Sequence, residues 1–203
     1  MFPGMRTASR SSVSGEARHR VEHAAHGTFF RRRDFAGSDR AVESALSRLA
    51  TSGELVRVRK GLYWRGQQTR FGMTRPSPLE IAVAVAGPGS GPSGVAAAHL
   101  LGLTTQVPAT VEVAVPGSPP DPIPGVRFRS RPYSRREHRL TSIEVAVLEV
   151  LRDPDATEMS WPQVARRLRK LADDGTIRAE VVGAGAIEEP RVKARERWST
   201  VIA

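Results

Sequence analysis

Arg57, Arg59 and Lys60 run up to a Lys60-Gly61 turn, and Arg40, Ser44, Ser47 and Arg48 recur at helical spacing shortly before them. Side chains of these types bind polyanions. A guanidinium can pair bidentately with a guanine edge, a hairpin-tip cation touches sugar-phosphate, and serine is permissive and serves phosphate as readily. The chemistry on offer is duplex recognition rather than bond making, so no catalytic residue is expected. No Ser/His/Asp set has interpretable spacing, and Asp153, Asp155, Asp173 and Asp174 fall at predicted helix ends, where capping explains them. His19, His23 and His26 share one predicted helix but lack an H-E-x-x-H pattern, so neutral surface histidines are expected and no metal site is. Gly87 to Gly94, GPGSGPSG, has the glycines of a phosphate cradle. It lacks the G-K-[ST] ending, and its prolines remove amide donors, so no nucleotide cofactor is expected there.

The charge is segregated. Residues 1–75 hold 15 of the 31 Lys+Arg and 6 of the 21 Asp+Glu, whereas residues 76–203 hold 16 against 15. Nearly all of the formal +10 therefore belongs to the part that carries the arginine pattern, as phosphate binding requires. A chain of 203 residues suggests one large domain or two small ones. The absence of cysteine excludes disulfides and thiolate metal sites. No apolar run reaches the roughly 18 residues of a membrane span, and the N-terminus lacks the apolar core of a secretory signal, so a cytoplasmic protein with no membrane partner is expected.

The elements that must position these side chains can be read in order. Residues 1–13 are small, polar and basic, and are expected to be disordered. Ser14 is a predicted cap for a helix to about His26. Arg31 to Ala36, with Arg31, Arg32 and Arg33, is expected to form the first helix of a helix-turn-helix, and Gly37-Ser38 its turn. From Asp39 to about Ala50, Val42, Ala45, Leu46 and Leu49 form one apolar stripe, which leaves Arg40, Ser44, Ser47 and Arg48 outward. Leu55 to Arg59 alternates as a strand with Leu55, Arg57 and Arg59 on one face, and Leu62-Tyr63-Trp64 returns to Arg65. A winged helix-turn-helix over residues 14–75 is therefore expected, with a second, α/β region over 76–203. The fold class is α+β.

In the second region the pattern predicts helices at Leu79–Ala86 and Val95–Leu101, strands at Val111–Val115 and Val126–Arg131, and a loop over 87–94. Ile143, Ala146, Val147, Val150 and Leu151 mark the buried stripe of a helix ending at Asp153-Pro154. A helix over about Trp161 to Ala172 exposes Arg166, Arg167, Arg169 and Lys170, and residues 176–203 suggest further helix. Arg127, Arg129 and Arg131 alternate along one strand face, with Arg135 and Arg136 close behind. They are a candidate second contact, to DNA or to an acidic protein surface, or else a solvated sheet face.

The blocks GELVRVRKGLYW, AAAHLLGLTTQVPATVEVAVPG, GVRFRSRP and SIEVAVLEVLRD are similar to the AbiE-type antitoxin family of type IV toxin–antitoxin systems, which includes the mycobacterial Men group. The LGL-x-x-Q-V-P run followed by a strand ending V-P-G carries more of the resemblance than the wing. The resemblance covers about residues 28–152 and weakens after 155. It implies a winged helix-turn-helix joined to a mixed α/β antitoxin domain, with the recognition helix at Asp39–Ala50 and the wing at Arg57–Arg65. It also implies repression through inverted repeats in the protein's own promoter, and neutralisation of a nucleotidyltransferase-like toxin. Two other readings remain: an enzyme that silences the toxin by covalent modification such as phosphoryl transfer, and a transcription regulator whose second domain binds a small effector.

Overall fold

The structure, a computed structural model, describes residues 12–203. The tract expected to be disordered therefore lies outside the described residues as far as Ser11. Two compact units divide the chain, Met1–Pro76 and Ser77–Ala203.

In the first unit, Ser12 rather than Ser14 begins the helix α1 (Val13–His23), its Oγ accepting from the Gly15 N–H at 3.1 Å. The short strand β1 (Thr28–Phe30) follows. The stretch expected as a helix from Arg31 to Ala36 is a single 3-10 turn, Arg32–Asp34. The Asp34 carboxylate accepts from the Arg31 N–H at 2.6 Å, and this local bond closes the turn before a second helical turn can form. Ser38 caps α2 (Asp39–Thr51). The predicted stripe is its buried face: Val42, Ala45, Leu46 and Leu49 pack with Ala17 and Val21 of α1 and with Phe30, Phe35, Leu55 and Tyr63. Each large side chain buried there contributes about 1.5–3 kcal/mol.

Strands β2 (Val56–Arg59) and β3 (Leu62–Arg65) form the expected hairpin, turned at Gly61 with φ +72°. β1 pairs antiparallel with the far side of β3, giving the order β1-β3-β2. A bulge between Arg57 and Arg59 breaks the predicted alternation. Arg57 is exposed, Arg59 is half-buried and Leu55 is buried, so the three do not share a face. A second hairpin, β4 (Gln68–Thr69) with β5 (Gly72–Met73), ends the unit.

The second unit opens with α3 (Pro78–Ala86), whose Ser77 and Glu80 form a reciprocal cap. Gly91–Ser93, expected to be loop, is a strand, β6. Next come α4 (Val95–Leu100), β7 (Val111–Pro116) and β8 (Val126–Arg131). β6 runs antiparallel to β7, and β8 parallel to it. Composition hid β6 because glycine and proline signal turns, but β6 is an edge strand, where Pro92 costs little. Gly91 is also required by contact. A Cβ there would stand 2.5 Å from the Ser142 carbonyl oxygen and 2.8 Å from Val145 Cβ. Gly91→Ala is therefore expected to destabilise the protein by about 1–3 kcal/mol. A thermal melt checks this, and an unchanged Tm would mean that β6 yields without cost.

The short α5 (Ser134–Glu137) leads to α6 (Ser142–Arg152), started by a Thr141–Glu144 capping box. α6 is not a one-sided helix. Every residue from Glu144 to Leu151 is buried, because β6, α4 and the helices that follow enclose it. Those helices are α7 (Trp161–Asp173), α8 (Ala179–Ile187) and α9 (Val192–Ile202). β7 separates two cores by its pleat: Ala114 faces the α6 cluster, while Val113 and Val115 pack with Ala82 of α3 and Ile123. The fold is α+β. Among the described residues no helix is long and apolar enough to cross a membrane.

Candidate nucleic-acid interface

In the first unit, packing α2 on α1 leaves Arg40, Ser44, Ser47 and Arg48 exposed on the face away from the core. Arg48 is partly held: its Nε donates to the Ser44 carbonyl at 3.3 Å and its Nη2 to Ser14 Oγ at 3.4 Å. Both bonds lie on the surface, so a stronger acceptor can displace them. Arg57 and Lys60 are exposed on the hairpin.

The three arginines before α2 differ from one another. Arg32 and Arg33 are exposed, and Arg32 pairs with Asp39 at the start of α2. Arg31 is half-buried, and burial together with the like charge of Arg33 pushes its guanidinium below its ordinary value, while Asp34 opposes this. Arg65 has a structural role. Its guanidinium donates to the Val21 and Ala24 carbonyls and closes the end of α1. Sequence reasoning placed it on the wing because a carbonyl acceptor more than 40 residues away leaves no local trace.

The candidate second contact is not a free cationic patch. Arg127 and Arg129 both reach Glu112 of β7, at 3.3 Å and 2.6 Å. The parallel register sets Glu112 directly opposite Arg127, and these hydrogen bonds hold the Glu112 carboxyl below its ordinary value despite partial desolvation. Arg131 and Arg135 turn inward. Arg131 clamps Glu149 with its Nε at 2.7 Å and its Nη2 at 2.6 Å. Arg135, with a side chain 1% exposed, sits 2.7 Å from both Glu149 and Glu189. Arg152 completes the set by pairing with Glu189, and Ser93 Oγ donates to Glu149 at 2.5 Å. Arg136 donates to the Ala86 carbonyl and lies over the Tyr133 ring. Alternation along one strand cannot disclose acids carried by other elements.

Glu149 and Glu144 are α6 carboxylates that sequence reasoning missed, and both lie in the core. Burial works to raise each, but hydrogen bonds overcome it. Arg131, Arg135 and Ser93 hold Glu149 at about 2, and Arg178 with the Thr141 N–H holds Glu144 at about 2. Both folded values lie below the ordinary 4.5. Their stabilisation is therefore complete above pH 4.5 and drains away as pH falls toward 2. Acid titration followed by far-UV circular dichroism is expected to show unfolding across that window. A second unit still folded at its lower end would remove the assigned pairing.

The LGLTTQVP run also has a structural role. Leu101 and Leu103 are buried, and Glu158 accepts from the Thr105 N–H at 2.9 Å and from Gln106 Nε2 at 3.1 Å. His19 and His23 are exposed and stack on each other at 4.2 Å. Among the described residues no group of three or more His, Cys, Asp or Glu is placed to hold a metal ion. Exposed arginine on a core-anchored helix beside a basic hairpin can bind a polyanion through charge-assisted hydrogen bonds.

No curated protein matches the sequence. A crystal structure of the RV2827C protein from Mycobacterium tuberculosis is similar with a TM-score of 0.43 at 18% identity, covering 95% of this chain and 75% of that one. Residues 17–126, more than half of the chain, match a family of unknown function designated DUF6088, and the chain belongs to that family.

Proposed function

We propose that the first unit is a winged helix-turn-helix that binds duplex DNA, and that the protein is a cytoplasmic antitoxin and transcriptional autorepressor. The observation that carries the DNA reading is the exposed Arg40/Ser44/Ser47/Arg48 face of α2 in the same unit as the exposed Arg57 and Lys60 of the hairpin. The element order supports it: α1, β1, a turn, α2, then a hairpin whose return strand pairs with β1. The charge surplus in residues 1–75 supports it too. α2 enters the major groove, where Arg40 reads a base edge, while the hairpin cations hold phosphates. The antitoxin half of the proposal rests on the resemblance of LGLTTQVP and its neighbours to AbiE-type antitoxins. In that reading the protein binds inverted repeats in its own promoter and neutralises a nucleotidyltransferase-like toxin.

Fluorescence anisotropy with the DNA just upstream of the gene tests the first half. Specific binding that weakens steeply with salt is expected, and its absence overturns the reading. Arg40→Ala is expected to lose about 1–3 kcal/mol on the preferred sequence and little on random DNA. Equal losses on both would reassign Arg40 to phosphate. Co-expression with the product of the adjacent gene tests the second half, since growth must be restored by this protein and not by an empty vector.

A further inference from the structure

The second unit holds a cavity of about 250 Å³ between β6, β8 and the end of α6, into which Arg129, Arg131, Arg152 and Arg191 project. We propose that this cavity binds the phosphate group of a small phosphate monoester such as a mononucleotide. The first argument is charge. Among the described residues Arg131, Arg135 and Arg152 share Glu149 and Glu189, three guanidiniums on two carboxylates. Glu112 is likewise shared by Arg127 and Arg129. Arg191 has no carboxylate within ion-pair distance among the described residues; its Nη1 donates to the Arg152 carbonyl at 3.2 Å. Arg191 is exposed, so surplus positive charge stands at the mouth of the cavity, where a doubly charged oxyanion can pair with it.

The second argument is rigidity. Arg131 and Arg152 have side chains 18% and 14% exposed and are held by Glu149, which also lines the cavity, and by Glu189, so both guanidiniums are fixed in place before a ligand arrives. The third is shape. The cavity shares Ser93, Gly94, Glu112 and Asp153 with an adjoining recess of about 420 Å³, walled in part by Val95, Pro108 and Ala156. The recess also carries the carboxylates of Glu112, Asp153 and Asp155, so a space of this scale, cationic at one end and mixed apolar and acidic at the other, suits a phosphate ester whose organic body offers hydrogen-bond donors. The site depends on arginines from β8, α6 and the start of α9, not on loop amides, so the missing P-loop lysine does not count against it.

Titration calorimetry on the full chain tests this with AMP, inorganic phosphate and adenosine as probes. AMP is expected to bind one per chain, phosphate more weakly at the same site in competition, and adenosine not at all. Arg129→Gln and Arg191→Gln alter exposed residues outside the buried network, and each is expected to weaken AMP about tenfold or more. Asp153→Asn removes a rim carboxylate and is expected to tighten AMP about threefold, a gain that a folding defect cannot produce. No AMP binding by the intact chain, adenosine binding as well as AMP, or affinity unchanged in both arginine variants overturns the proposal. None of these readouts involves DNA, so they stand or fall apart from the first unit's role.

Discussion

Reversing the charge of Arg57 and Lys60 together, as Arg57→Glu with Lys60→Glu, is expected to weaken duplex DNA binding about 100-fold at physiological salt. The figure follows from two charge-assisted contacts at about 1.5 kcal/mol each. Both side chains are exposed on the β2–β3 hairpin, so the exchange leaves the core formed with α1 and α2 untouched. In the proposed wing role these cations touch phosphate rather than base edges, so the loss is expected on operator and random DNA alike. The slope of log affinity against log salt should also become shallower by about 2, one counterion for each lost contact. Anisotropy titrations at several salt concentrations measure both quantities. Unchanged affinity, or a loss confined to one sequence, would detach the hairpin from the role of a wing.

Glu149→Ala is expected to destabilise the second unit by about 3–5 kcal/mol, a large part of the roughly 5–15 kcal/mol that holds a domain. Glu149 is the acid on which Arg131, Arg135 and Ser93 converge, and its side chain is 3% exposed. Removing it strands a guanidinium that is 1% exposed with one carboxylate left, at Glu189. Urea denaturation followed by Trp161 and Trp198, which lie in the second unit, measures the loss, with Trp64 reporting on the first. Glu112→Gln breaks ion pairs whose arginines are 62% and 45% exposed and should cost less than about 1 kcal/mol. Equal effects from the two variants would mean that burial of the Glu149 cluster adds nothing.

The contrast between those acids shows where sequence reasoning stops. Local pattern determined a great deal. The Val42-Ala45-Leu46-Leu49 stripe, the Lys60-Gly61 turn, the strands at 111–115 and 126–131 and the helix ending at Asp153 are each written in neighbours within one or two turns, and each is present. Local signals also determined which face of α2 looks outward, because a helix with one apolar stripe has one way to bury it.

Tertiary structure decided the fate of the cations. Arg65, Arg131 and Arg135 looked like their exposed neighbours in the sequence, yet their partners lie 41, 18 and 54 residues away. Tertiary packing also made α6 a central helix, turned Gly91–Ser93 into an edge strand and shortened the segment before α2 to one 3-10 turn. Charge and hydrophobic period are properties of a segment, whereas burial and ion pairing belong to the packed assembly of segments. An arginine stays free on the surface or becomes a strut in the core according to which carboxylate or carbonyl the fold brings beside it.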